Sequence, residues 1–192
     1  YERKGDKNGY LGYQYKHSIR YTFSYSDYVK IGLTGAQDAG EPFFAGRNSM
    51  GYDHYSFYLS LRKMGRIKSL VVGRYKVKMG MGLVINNNIG LGKLTSLSSL
   101  GRQSNYIGGY SSRSDANYLQ GAAITVSLPA NMELTAFASY REIDATLNKD
   151  DGSIATILKT GYHRTPTEME KKNNSSQSLA GGNLSFDKNG FH

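Results

Sequence analysis

Between residues 11 and 26, "LGYQYKHSIRYTFSYS", apolar and polar positions alternate without a break. Leu11, Tyr13, Tyr15, Ile19, Tyr21, Phe23 and Tyr25 fall on odd positions with His17, and no even position is aliphatic or aromatic. A period of two means a strand with one apolar and one polar face, because successive side chains point to opposite sides. The run is far longer than the usual strand of about 5–6 residues. The same period returns in "YVKIGLTG" (28–35), "YSFYLSLRK" (55–63), "IKSLVVGRYKVKMGMGL" (67–83), "AAITVSL" (122–128), "MELTAFASYR" (132–141) and "LAGGNLSF" (179–186). Phe137 is the exception, an aromatic ring on the polar face of its strand.

Between these runs the chain predicts two kinds of connection. "KMGR" (63–66) and "PAN" (129–131) are short, whereas 35–54, 84–118 and 142–178 are long. The segment 84–118 is rich in Asn, Ser and Gly, and Leu94, Leu97 and Leu100 suggest a helical turn or two within it. "TPTEMEKKN" (165–173) predicts one short helix, with Thr165 as N-cap, Pro166 in the first turn and Glu168 completing a capping box. The pattern therefore predicts an all-β, antiparallel meander of long hairpins, about seven strands in one unit over 1–192. Short turns at one end and long loops at the other are the layout of an outer-membrane barrel. A soluble sandwich shows shorter strands with turns at closer spacing.

Composition narrows this reading. No run of 18 apolar residues is present, which excludes a transmembrane helix but not a barrel. Cys is absent, so disulfides and thiolate metal sites are excluded. Tyr (16 residues) takes the place that the missing Trp often holds in a membrane-interface belt. The last residues, "LSFDKNGFH", carry a strand, an Asn189-Gly190 turn signal and the start of a return. The expectation is a piece of a longer barrel.

On that reading Tyr13, Ile19, Tyr25, Val29, Ile31, Leu59, Val77 and Leu134 face lipid. Tyr13 and Tyr25 would lie about 30 Å apart along the membrane normal, matching the two interfaces. His17 is then a misfit near mid-depth, unless a bulge shifts the register. Lys16, Arg20, Lys30, Arg62, Arg74, Lys76 and Lys78 fall on the polar face, which would line the lumen. With a formal net charge of +9, they imply either an anion-favouring interior or an ordinary solvated face near lipid phosphates.

"GRIKSLVVGRYKVKMGMGLVI" (65–85) resembles a phrase of large outer-membrane β-barrel proteins of Bacteroidetes, as do "GYHRTPTEMEKKN" and "LAGGNLSF" within 161–186. Those proteins often carry a helix-hairpin-helix domain that this chain lacks. Met81 departs from their phrase, which commonly has Gln between the two glycines. The resemblance implies a location and a fold rather than an activity.

Chemistry is sparse. "GMGLVI" (80–85) and "GLGKLTS" (90–96) lack the spacing of a dinucleotide or P-loop site. His17, His54, His163 and His192 show no metal-ligand spacing, and His163-Arg164-Thr165 reads as a loop entering a capped helix. No catalytic residue, metal or cofactor is expected. The expected function is a channel, transporter or assembly scaffold in the outer membrane of a Gram-negative bacterium. Its expected partners are lipid or lipopolysaccharide and further outer-membrane subunits, with no nucleic acid. The alternative is a soluble secreted β-rich module binding a polyanion, DNA or an acidic polysaccharide, through interleaved Tyr and Lys/Arg.

Overall fold

The computed structural model describes residues 9–82, 84–87, 105–113 and 117–186. Ten strands run through these residues: β1 (His17–Tyr25), β2 (Val29–Gln37), β3 (His54–Met64), β4 (Ile67–Lys78), β5 (Tyr106–Gly109), β6 (Leu119–Leu128), β7 (Met132–Ile143), β8 (Ala145–Leu147), β9 (Ile154–Ile157) and β10 (Ser175–Phe186). One α-helix, α1 (Pro166–Glu170), lies between β9 and β10. The main sheet has the order β1-β2-β3-β4-β6-β7-β10, antiparallel throughout, with β5 added beside β4. β8 and β9 form a separate hairpin. The fold is thus all-β and antiparallel, as the alternation predicts. Its sheet is open among the described residues, with β1 and β10 at the edges.

The connections sort by end. Residues 26–28, 65–66 and 129–131 close the hairpins β1-β2, β3-β4 and β6-β7 at one end. The connections after β2, β4 and β7 leave from the other end, and the last two contain β5 and the β8-β9 hairpin. Ala130 and Asn131 both take positive φ (61° and 57°) in the three-residue turn between Leu128 and Met132.

The register aligns one apolar row across the whole sheet: Phe23, Ile31, Leu59, Val72, Ala122, Ala138 and Ala180. This face is bare. Ile19, Phe57 and Leu184 are 60%, 50% and 61% exposed on it. The row one residue over is Ser24, Lys30, Ser60, Val71, Ala123, Phe137 and Gly181, on the opposite and covered face. There Val71, Tyr75, Val77, Ile107, Leu119, Ala123 and Phe137 form the hydrophobic core. Phe137 is explained: its ring lies over Gly181, where an added Cβ would come within 2.8 Å of it.

β4 bends between the two regions. Gly73 (φ 99°) stands opposite Gly121 (φ 148°), and a Cβ on either would meet a backbone carbonyl oxygen, of Phe57 at 2.4 Å or of Ala138 at 2.3 Å. Glycine alone permits this approach. Beyond Gly73, β4 leaves β3 and pairs with β5. Val77, expected against lipid, is in phase with Val71 and Tyr75 rather than with Val72 of the bare row, and it is fully buried in the core.

The first strand is also shorter than its alternation implies. Residues 11–16 precede β1 and bond to loops: Leu11 N–H donates to Arg164 O (2.8 Å), Gly12 N–H to Gly40 O (2.9 Å), and Gly40 N–H to Tyr13 O (2.8 Å). Tyr13, expected on the outer face of a long strand, therefore lies outside it. The expected separation from Tyr25 across a single strand does not hold. His17 is no mid-strand misfit: it opens β1 in an aromatic cluster, stacked on Tyr13 and edge-on to Phe43 and Tyr52. The helical turns expected around Leu94, Leu97 and Leu100, and the half-hairpin expected at 187–192, lie outside the described residues.

Candidate functional site

The long connections meet in a buried network of charges at one end of the sheet. The run "HRTPTEME" places His163 just ahead of α1. Thr165 Oγ1 accepts the Glu168 N–H at 3.3 Å, and Pro166 needs no hydrogen-bond partner in the first turn. The Glu168 carboxylate reaches back one residue further than a standard capping box, to the Arg164 N–H (2.9 Å) and guanidinium (2.8 Å). This fixes the turn on which the imidazole projects.

His163 then bridges two carboxylates. Nδ1 lies 2.5 Å from Asp53 Oδ2, and Nε2 lies 2.9 Å from Asp144 Oδ2. Two ionised carboxylates only accept, so both ring nitrogens donate and the ring is an imidazolium. Burial opposes that charge, but the hydrogen bonds to Asp144 and Asp53, reinforced by their charges, raise its pKa to about 9. Burial likewise pushes the Asp53 carboxyl up, and it is outweighed by the His163 hydrogen bond and the charges of His163 and Lys172, leaving Asp53 below the usual range. Lys172 Nζ donates to Asp53 Oδ1 (2.9 Å) and Asn48 Oδ1 (2.7 Å). Glu41 accepts the His163 backbone N–H at 2.9 Å. Its carboxyl is raised, first by burial and then by the nearby Asp53 charge.

Glu41, Asp53 and His163 bring potential ligand atoms within 4.8 Å of one another. The donor set is already satisfied. Both imidazole nitrogens face carboxylates, and the imidazolium and the Lys172 ammonium supply the positive charge that a metal ion would bring. The network is a structural latch that pins 38–53 to 142–174.

Beside the latch is a cavity of about 850 Å³. Tyr118 forms its aromatic wall, with the Arg74 guanidinium 4.1 Å and the Arg141 guanidinium 4.8 Å from the ring centroid. Tyr110 stacks on Tyr118 at 6.4 Å, and Lys76 lies over Tyr110 at 4.6 Å. Cations over aromatic faces are held by the ring quadrupole. Arg141 Nε donates to Gln177 Oε1 (2.9 Å), and Arg47 Nη1 donates to Met169 O (2.8 Å).

Of the basic residues singled out in the sequence, Arg74 lines this cavity and Lys76 extends its ladder of cations and rings. Lys78 ends β4, half-buried. Lys30 and Arg62 lie half-buried toward the short-turn end of the covered face, and Arg20 stands exposed on edge strand β1 opposite Thr34. Lys16 precedes β1 and pairs with Asp38. On the bare face, Ile19, Tyr25 and Leu134 are exposed, while Val29, Ile31 and Leu59 are half-buried by their neighbours.

Sequence reasoning missed Asp53, Asp144 and Lys172, whose partners lie up to 124 residues away, and also Tyr118 and Arg141. The interleaving of Tyr with Lys and Arg was the available signal for the last two. Comparisons with protein-family models, curated proteins and solved structures gave no match.

Proposed function

We propose that these residues are part of an outer-membrane β-barrel of a Gram-negative bacterium, a channel, transporter or assembly scaffold rather than an enzyme. The observation that carries this reading is the uncovered apolar row from Phe23 on β1 to Ala180 on β10. In water, an uncovered Leu, Ile or Phe forgoes about 1.5–3 kcal/mol of burial, and a contiguous apolar face of this breadth signals a membrane or a partner. Lipid against this face removes the conflict. The division into short turns and long connections supports the same reading. Further strands pairing with β1 and β10 would close the sheet, and the covered face would then look into the lumen.

The cation-lined cavity at the long-connection end gives that lumen a preference for anions. Lipid or lipopolysaccharide meets the bare face, and other outer-membrane subunits are natural neighbours. Fractionation of the full-length protein with a heat-modifiability gel tests the proposal. Recovery in detergent-extracted outer membrane, with mobility that shifts on boiling, is the expected result. A soluble protein with unchanged mobility would overturn it and return the polyanion-binding module to first place. Reversal potentials in a salt gradient test the anion preference separately.

A further inference from the structure

The cavity next to the latch has the make-up of a ligand site. Its volume of about 850 Å³ lies in the upper part of the range for small-molecule pockets, far larger than an inorganic ion needs. Two of its carboxylates, Asp53 and Asp144, are already neutralised by His163 and Lys172. Arg47 and Arg141 have neutral acceptors instead, a backbone carbonyl and a side-chain amide. Lys159 and Arg74 add two more positive charges, against the remaining carboxylate, Glu142. An occupant therefore meets an excess of positive charge in a partly desolvated space, where charge-assisted hydrogen bonds are strong.

The other lining groups narrow its class. Asn117, Gln120 and Gln177 each offer a donor and an acceptor on one side chain, the pairing that a vicinal hydroxyl can match on both counts. Tyr52 and Tyr140 add ring edges and faces. Cations for acid groups, amides for hydroxyls and rings for flat C–H surfaces together fit a sugar acid better than a simple carboxylate or an apolar anion. We infer that this cavity binds an acidic oligosaccharide, with carboxylates of the sugar on Arg141 and Lys159. The inference concerns the cavity alone and does not depend on insertion of the bare face into a membrane.

Isothermal titration of the full-length protein with trigalacturonate, neutral maltotriose and citrate tests it. Saturable binding of trigalacturonate is expected, weakened as salt screens the charges, with maltotriose and citrate at least about tenfold weaker, since one charge-assisted hydrogen bond is worth that factor or more. Arg141→Gln is expected to lower trigalacturonate affinity about tenfold. Lys159→Gln, an exposed loop change that leaves the fold intact, should weaken it in the same direction. Equal binding of maltotriose, equal binding of citrate, or unchanged affinity in both variants would each overturn the inference. Because titration reads the ligand and fractionation reads the membrane, failure of either is separate from failure of the other.

Discussion

His163 and Asp53 are joined at 2.5 Å across 110 residues of chain, and this contact ties the segment before β3 to the turn before α1. The ring pKa of about 9 stands above its ordinary value of 6.5, so the contribution of the pair is fully present below pH 6.5 and is lost as pH rises through 9. Asp53 works in the other direction. Its carboxyl is depressed, so its contribution holds above pH 3.8 and is lost as pH falls below that value. Melting temperature followed from pH 4 to pH 10 should be highest below pH 6.5 and decline toward pH 10, with proteolysis appearing first between 142 and 174. A flat profile across pH 6.5 to 10 would refute the latch.

Removing the ring should cost more than removing its charge by pH. His163→Ala leaves Asp53 and Asp144 buried without their shared donor, a loss of about 3–5 kcal/mol. Thr165→Ala removes only the helix cap, and about 1 kcal/mol is expected. Chemical denaturation of the two variants gives the order directly.

The glycine pair at the bend makes a sharper distinction. Gly73→Ala and Gly121→Ala each drive a methyl into a carbonyl oxygen at positive φ, so each should destabilise strongly or misfold. Gly182→Ala on the bare face meets only Thr135 O at 3.4 Å and should be neutral or slightly stabilising, by up to about 1 kcal/mol. Folding yields of the three variants check the contrast.

On the bare face, a charge reports the surroundings. In lipid, Ile31→Lys, between Phe23 and Leu59 in the row, is expected to cost up to about 2–4 kcal/mol and to reduce recovery in the outer membrane. In water the same change would raise solubility. Refolding into lipid vesicles, with urea titration, separates the two.

Period-two alternation made most strands legible because it is a local property: 28–35, 55–63, 122–128 and 132–141 all fall on or within a residue of strands in the structure. Thr165, Pro166 and Glu168 made the helix legible for the same reason. Alternation failed where neighbours, not parity, decide what a face meets. Val77 alternates in phase with Val71 and Tyr75, and on β4 the core takes that apolar set while the bare row crosses the strand at Val72. Tyr13 alternates too, yet its backbone is taken by Gly40, so no strand forms there. The latch was illegible because no local signal links Asp53, Asp144, His163 and Lys172.

Strand order follows chain order almost everywhere, from β1 through β4 and from β6 to β7. Each tight turn can close its hairpin before the next is made, and each finished hairpin offers an edge on which the next one registers. Two joins break that rule, β4 to β6 and β7 to β10, and both must wait for a long connection to close. Assembly of this sheet should therefore close its three tight hairpins quickly and pause longest at these two joins. The second pause ends only when β10 returns over its inserted segment to zip against β7.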